Sequence, residues 1–132
     1  MKGQSSMEFL AYVSLSMFIL AVLYGVMADK QADTFQQQAQ ERAISIADKV
    51  SFNIEMALVQ GEGYSRVISL PQNIAGRNYT VLATDGLIRV NWSSENTIEP
   101  TRYRGQNISF TSDELNVFRV KHNESGVFMV EQ

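Results

Sequence analysis

MKGQSSMEFLAYVSLSMFILAVLYGVM, residues 1–27, decides how the rest of the chain is read. Between residues 9 and 28 no side chain is charged, and most are large and apolar. A run of that length crosses a hydrocarbon core as a helix. Phe9, Leu10, Tyr12, Val13, Leu15, Met17, Phe18, Ile19, Leu20, Val22, Leu23 and Tyr24 cover every direction around such a helix. With no polar face, it needs lipid or other helices around it. Ser14 and Ser16 are tolerable there because their hydroxyls bond back to the preceding turn. Ala11, Ala21 and Gly25 are small enough to let helices approach closely.

The preface to this run is polar: Lys2, Gly3, Gln4, Ser5 and Ser6, with Glu8 at the edge of the apolar segment. A carboxylate at that depth is costly in lipid alone. A secretory signal would close the apolar run with an A-x-A-like site, which is missing here, and a plain anchor needs no such preface. Neither explains residues 3–8.

Gly3-Gln4-Ser5-Ser6-Met7-Glu8-Phe9-Leu10 resembles the class III signal peptide of archaeal type IV pilin-like proteins, with its Q-x-S-x-E-F-L core. The resemblance implies that a membrane aspartyl protease cuts Gly3–Gln4 on the cytoplasmic side, so the apolar helix stays on the mature chain. Glu8 then becomes the fifth mature residue, where that family carries a glutamate. Gly at the cut suits an extended backbone entering a protease cleft. In a bundle of identical helices, Glu8 can meet the new α-amino group of a neighbour's Gln4, which offsets the penalty of burying the charge. The plainer alternative is an unpaired carboxylate at the lipid headgroups.

Composition narrows the function. The chain has 132 residues, a formal charge of −3 and no cysteine. That length fits one domain plus an extended element. Removing residues 1–3 takes away Lys2 and moves the charge to −4, against 14 Asp and Glu. A mildly acidic chain is a poor nucleic-acid binder, and disulfides, thiol catalysis and thiolate metal sites are excluded.

Beyond residue 28 the helical pattern continues. No glycine occurs between Gly25 and Gly61, and no proline before Pro71. Apolar residues recur at Ala32, Phe35, Ala39, Ala43, Ile46, Val50, Ile54 and Ala57, at steps of three and four. Gln36, Gln37, Gln40, Glu41, Asp48, Lys49 and Glu55 are expected on the opposite face, and Gly61-Glu62-Gly63 to end the helix. One helix from residue 5 to residue 60 would be about 80 Å long. A small globule cannot enclose it, so the apolar half is expected to project and the amphipathic half to pack.

From residue 64 the pattern is that of strands. Runs at 64–70, 78–84, 87–92, 101–110, 115–122 and 127–130 predict five or six short antiparallel strands. Asp85-Gly86 marks a hairpin, and other turns are expected near Asn96, Gly105, Ser112 and Gly126. The expected fold is α+β: a long N-terminal helix on a small antiparallel sheet or sandwich. Its expected divisions are a cleaved leader 1–3, a transmembrane or filament-core helix 4–28, an amphipathic continuation 29–60 and a β-rich head 61–132. EGYSRVISLP (62–71) and IAGRNYTV (74–81) also resemble archaeal class III signal peptide protein heads.

Four Asn-X-Ser/Thr sequons, at Asn78, Asn91, Asn107 and Asn123, all fall in the C-terminal half, where chance would place roughly one. They are candidates for N-glycosylation of an exported head; the plain alternative is polar strand and turn residues that fit the pattern. Asn91 is the weakest, with Trp92 holding its surroundings near the core. Nothing points to an enzyme, cofactor or metal site. His122 is the only histidine, and the adjacent acids Asp113-Glu114 face opposite sides of a strand. Tyr64, Tyr79, Trp92, Tyr103 and Phe118 are read as core aromatics rather than a ligand surface. The expected chain is a structural pilin, possessing no catalytic residue. Its expected partners are identical subunits in a helical filament, the membrane before assembly, a prepilin peptidase and the pilus machinery, but no nucleic acid. A minor or priming pilin, and a membrane-anchored extracellular binding module, are the alternatives.

Overall fold

The computed structural model describes residues 2–112 and 117–131. Met1, the acids Asp113 and Glu114, and the first two positions of the strand expected over 115–122 lie outside the described residues. The chain forms two compact units, residues 1–37 and 38–132. One helix, α1 (Lys2–Gln60), supplies all of the described first unit and begins the second. Seven strands follow: β1 (Ser65–Ser69), β2 (Tyr79–Thr84), β3 (Leu87–Trp92), β4 (Glu95–Pro100), β5 (Ile108–Thr111), β6 (Val117–Asn123) and β7 (Gly126–Glu131). They form two antiparallel sheets, one ordered β1-β6-β7 and the other β4-β3-β2-β5. The fold is α+β.

In the first unit every large apolar side chain of residues 7–27 is exposed, from Val13 at 38% to Tyr24 at 77%. Ser16 returns its hydroxyl to the carbonyl of Tyr12 at 2.8 Å, as expected for a serine in an apolar helix.

In the second unit α1 buries a stripe of Ala39, Ala43, Ile46, Ala47, Val50, Asn53, Ile54 and Ala57. The stripe starts later than its periodicity suggested, since Ala32 and Phe35 are both exposed. Four of its members are alanines, whose short side chains let the sheets come close to the helix backbone. The stripe joins the inward residues of both sheets in one core: Ile68, Phe118, Val120 and Val127 from one, and Tyr79, Val81, Ala83, Ile88, Val90, Trp92 and Ile108 from the other. The alternation of burial along β2 and β3 is the period-two pattern of strands covered on one face. Tyr79, Trp92, Tyr103 and Phe118 are thus core residues, with Tyr64 packed partly against them.

The helix stops where expected. Gly61 takes φ +79° and Gly63 φ +88°, which favour glycine, and the Gly61 N–H still reaches the Ala57 carbonyl at 3.1 Å. The Asp85-Gly86 hairpin also forms, pairing Thr84 with Leu87. Gly86 takes φ +89°, so the turn needs glycine for its backbone conformation, whereas the Arg104 guanidinium 2.6 Å from a Cβ placed there is a flexible side-chain end that could shift.

One stretch differs. Asn96 lies inside β4 rather than at a turn, and 101–107 is irregular rather than strand. The chain reverses in the two-residue loop Ser93-Ser94, with Ser93 at φ +55°, so that Trp92 pairs with Glu95 and Leu87 with Pro100. Proline is tolerated because β4 is an edge strand. Side chains hold the irregular loop instead. Glu55 of α1 accepts from the Thr101 hydroxyl (3.2 Å) and the Arg102 N–H (3.0 Å), and the Tyr103 hydroxyl donates to the Gln106 carbonyl at 2.5 Å. Glu55 and Lys49, expected on a solvated face, are therefore tethers; the Lys49 ammonium donates to the Ser69 carbonyl at 2.7 Å.

Tyr79 carries the clearest pH signature. Its hydroxyl donates to the Pro71 carbonyl at 2.6 Å, and burial pushes its pKa from 10.0 up to about 12. Burial also raises that of Tyr103. Since the folded pKa exceeds the unfolded one, this stabilisation is complete below pH 10 and fades as pH rises toward 12. Tyr79→Phe should cost about 1–2 kcal/mol at neutral pH through the unpaired Pro71 carbonyl. It should also flatten the loss of stability above pH 10, leaving the part due to Tyr103. Denaturant titrations at pH 7 to 11 check both effects.

Candidate assembly and modification sites

Gly3, Gln4 and Glu8 all lie on α1, and all three are exposed. Gly3 and Gln4 are helical, whereas a protease cleft takes extended backbone. The cleavage expected there would require their turn to open. The first turn of a helix is the cheapest to open, because its N–H groups have no intrahelical acceptors. A Cβ on Gly3 would meet nothing within 4 Å, so no packing within this chain requires glycine there. Glu8 immediately precedes the exposed apolar surface. Residues 3–60 form a helix that is long and apolar enough to cross a membrane by length and composition.

The four sequons differ in environment. Asn78, just before β2, and Asn107, just before β5, are exposed in irregular backbone. Asn123 is exposed at the β6–β7 turn, where its side-chain oxygen accepts the Ser125 N–H at 2.9 Å. This is an Asx turn, which engages the side-chain oxygen. Asn91 is half-buried within β3 and pairs with Thr80 on one side and Asn96 on the other. Trp92 does face the core, but strand alternation turns Asn91 to the outer face. What restricts Asn91 is its place in a central strand and its sequon hydroxyl: Ser93 accepts a hydrogen bond from Arg77 at 2.8 Å.

His122 has a structural role that sequence reasoning missed. Its ring Nδ1 is 2.8 Å from the Ala57 carbonyl in the last turn of α1. A carbonyl only accepts, so Nδ1 carries the proton. The His122 backbone also accepts from the Gly63 N–H and donates to the Tyr64 carbonyl, both at 3.0 Å. His122 thus gives the Ala57 carbonyl a second donor beside the Gly61 N–H, filling both of its acceptor positions at the end of the helix. No local sequence signal could have revealed a contact spanning 65 residues.

No family model, curated protein or solved structure matches this chain.

The exposed sequons give a ranked expectation for native material. Asn78, Asn107 and Asn123 should carry glycans with higher occupancy than Asn91. Glycopeptide mass spectrometry measures it. Preferential occupancy of Asn91 would mean that modification precedes folding of β3.

Proposed function

We propose that this chain is the structural subunit of a surface filament of the archaeal type IV pilus kind, serving adhesion. The observation that carries the reading is the exposed, uncharged surface of residues 9–28, on a helix continuous to Gln60, with Glu8 at its edge. Such a surface is incompatible with water, and two environments cover it: lipid before assembly and neighbouring helices afterwards. Exchange of lipid for packed helices is driven by van der Waals contact and interhelical polar bonds, because lipid is already apolar. Ala11, Ala21 and Gly25 permit close contact, and Glu8 supplies the polar bond. Identical contacts repeated without closure build a filament.

In this scheme the apolar helix holds the chain in the membrane, and the leader 1–3 is removed before assembly. Cleavage at Gly3–Gln4 creates an α-amino group for Glu8 of an adjacent subunit, so that processing licenses assembly. The β head, residues 61–132, forms the glycosylated outer wall. The prepilin peptidase and the assembly machinery are its transient partners, and identical subunits its permanent ones.

The mature chain should begin at Gln4, as its free or cyclised form, by intact mass or N-terminal peptide analysis of sheared surface material. A cut beyond residue 20, or an uncut chain in filaments, would overturn the reading. Glu8→Gln should leave membrane insertion and cleavage intact and reduce filament yield at least about tenfold, because a desolvated ion pair loses its charge. Immunoblots of sheared and membrane fractions read this out. Normal yield from the variant would restrict Glu8 to the membrane interface.

A further inference from the structure

The outer faces of the second unit carry two complementary patches that the filament reading leaves unused. On α1, Glu41, Asp48, Phe52 and Val59 fall within about 40° of one another around the helix, opposite the buried stripe. Phe52 is 57% exposed and Val59 82%, high values for apolar side chains on the solvent side of a packed helix. Glu41 and Asp48 are exposed, with no salt bridge or hydrogen bond among the described residues. The stripe is acidic at one end and apolar at the other, and Asp48 stands one turn from Phe52.

The second patch is the outer face of the β1-β6-β7 sheet. Phe118 and Val120 of β6 point inward, which turns Arg119 and Lys121 outward. Arg119 pairs in register with Val67 of β1 and Val130 of β7, and Lys121 with Ser65 and Phe128. Val67 is 47% exposed and Val130 43%. A cation thus sits between two exposed valines, and no carboxylate lies on this face among the described residues. Neither Arg119 nor Lys121 has a salt bridge among them.

We propose that these patches dock on each other between two copies of this chain, the helix stripe of one on the sheet face of the next. Asp48 and Glu41 meet Arg119 and Lys121, while Phe52 and Val59 cover Val67, Val130 and Phe128. Charge complementarity selects this occupant: an acid one turn from an exposed phenylalanine faces a cation flanked by exposed valines. Because the two patches differ, the contact is head-to-tail and propagates without closing. The inference rests on the filament reading, and adds to it a lateral contact made by the folded head.

The chain has no cysteine, so introduced cysteines report contact without background. Full-length chain bearing Phe52→Cys and Val130→Cys, oxidised in its native membrane or surface fraction, should give a covalent ladder of three or more subunits. Each single-cysteine variant should stop at a dimer or below. Asp48→Lys in the double-cysteine background should weaken the ladder at least about tenfold, as juxtaposed like charges do. Asp48→Lys with Arg119→Asp on the same chain should restore it, which a merely structural role for either residue would not do. Absence of the ladder, or absence of the rescue, overturns the proposal. Filament yield of the cysteine-free chain is scored in parallel. Filaments without a ladder overturn this contact alone, whereas a ladder without filaments supports the contact and overturns the filament reading. Sedimentation with anionic vesicles that depends on Arg119 and Lys121, with no ladder, assigns the face to a membrane and overturns the proposal.

Discussion

The structure depends on one helix meeting two different solvents. Over residues 39–57, α1 offers a stripe of small and branched apolar side chains that the two sheets remove from water. Over residues 9–28 the same helix offers apolar side chains in all directions, and the large ones are exposed among the described residues. Backbone hydrogen bonds are satisfied alike in both halves, because a helix closes its own ladder regardless of surroundings. Only the side chains divide it, by what they require as neighbours. An apolar surface left open in this way has a defined use only where the chain leaves water.

The head holds the packed half of the helix at its C-terminal end and along its side. At the C-terminal end, glycines at 61 and 63 release the chain from the helix, and His122 reaches back from β6 to the Ala57 carbonyl. Along the side, Lys49 binds the Ser69 carbonyl and Glu55 binds the 101–102 backbone. The Lys49 and Glu55 tethers are hydrogen bonds of charged groups to neutral partners, individually stronger than neutral ones. With the His122 contact they connect α1 to β1, to β6 and to the loop before β5, so each sheet is tied to the helix by polar contacts as well as by the core.

The outer surface is graded. Exposed Asn78 and Asn107 stand in irregular segments outside any ladder, and exposed Asn123 closes β6 at its turn, paired with Gly126. The central strand β3 keeps Asn91 between two paired neighbours. Apolar and cationic residues share the outer face of the three-stranded sheet, and acids share the outer face of the helix with Phe52 and Val59. A head with exposed sequons on some faces and oppositely charged, partly apolar patches on others has both a solvent side and surfaces suited to neighbours.

The sequence by itself determined what depends on near neighbours along the chain. Period and length identified the helix, its apolar half and its stop at Gly61. Asp85-Gly86 announced its hairpin, because a two-residue turn is decided by the φ values its own residues accept. The eight-residue stretch 3–10 carried the resemblance on which the expected leader rests, and the spacing of Asn and Ser/Thr carried the sequons. Tertiary structure decided the rest. Phe35 repeats the helical spacing yet stays exposed, since periodicity marks a face without saying whether anything covers it. Asn96 looked like a turn and became strand because the two-residue loop at Ser93-Ser94 brought it into register with Asn91. Glu55, Lys49 and His122 were ordinary polar residues until the fold carried a carbonyl or an N–H from far along the chain to each of them. Hydrogen bonds of that kind depend on distances below about 3.5 Å, and no local pattern of residues encodes a distance across the core.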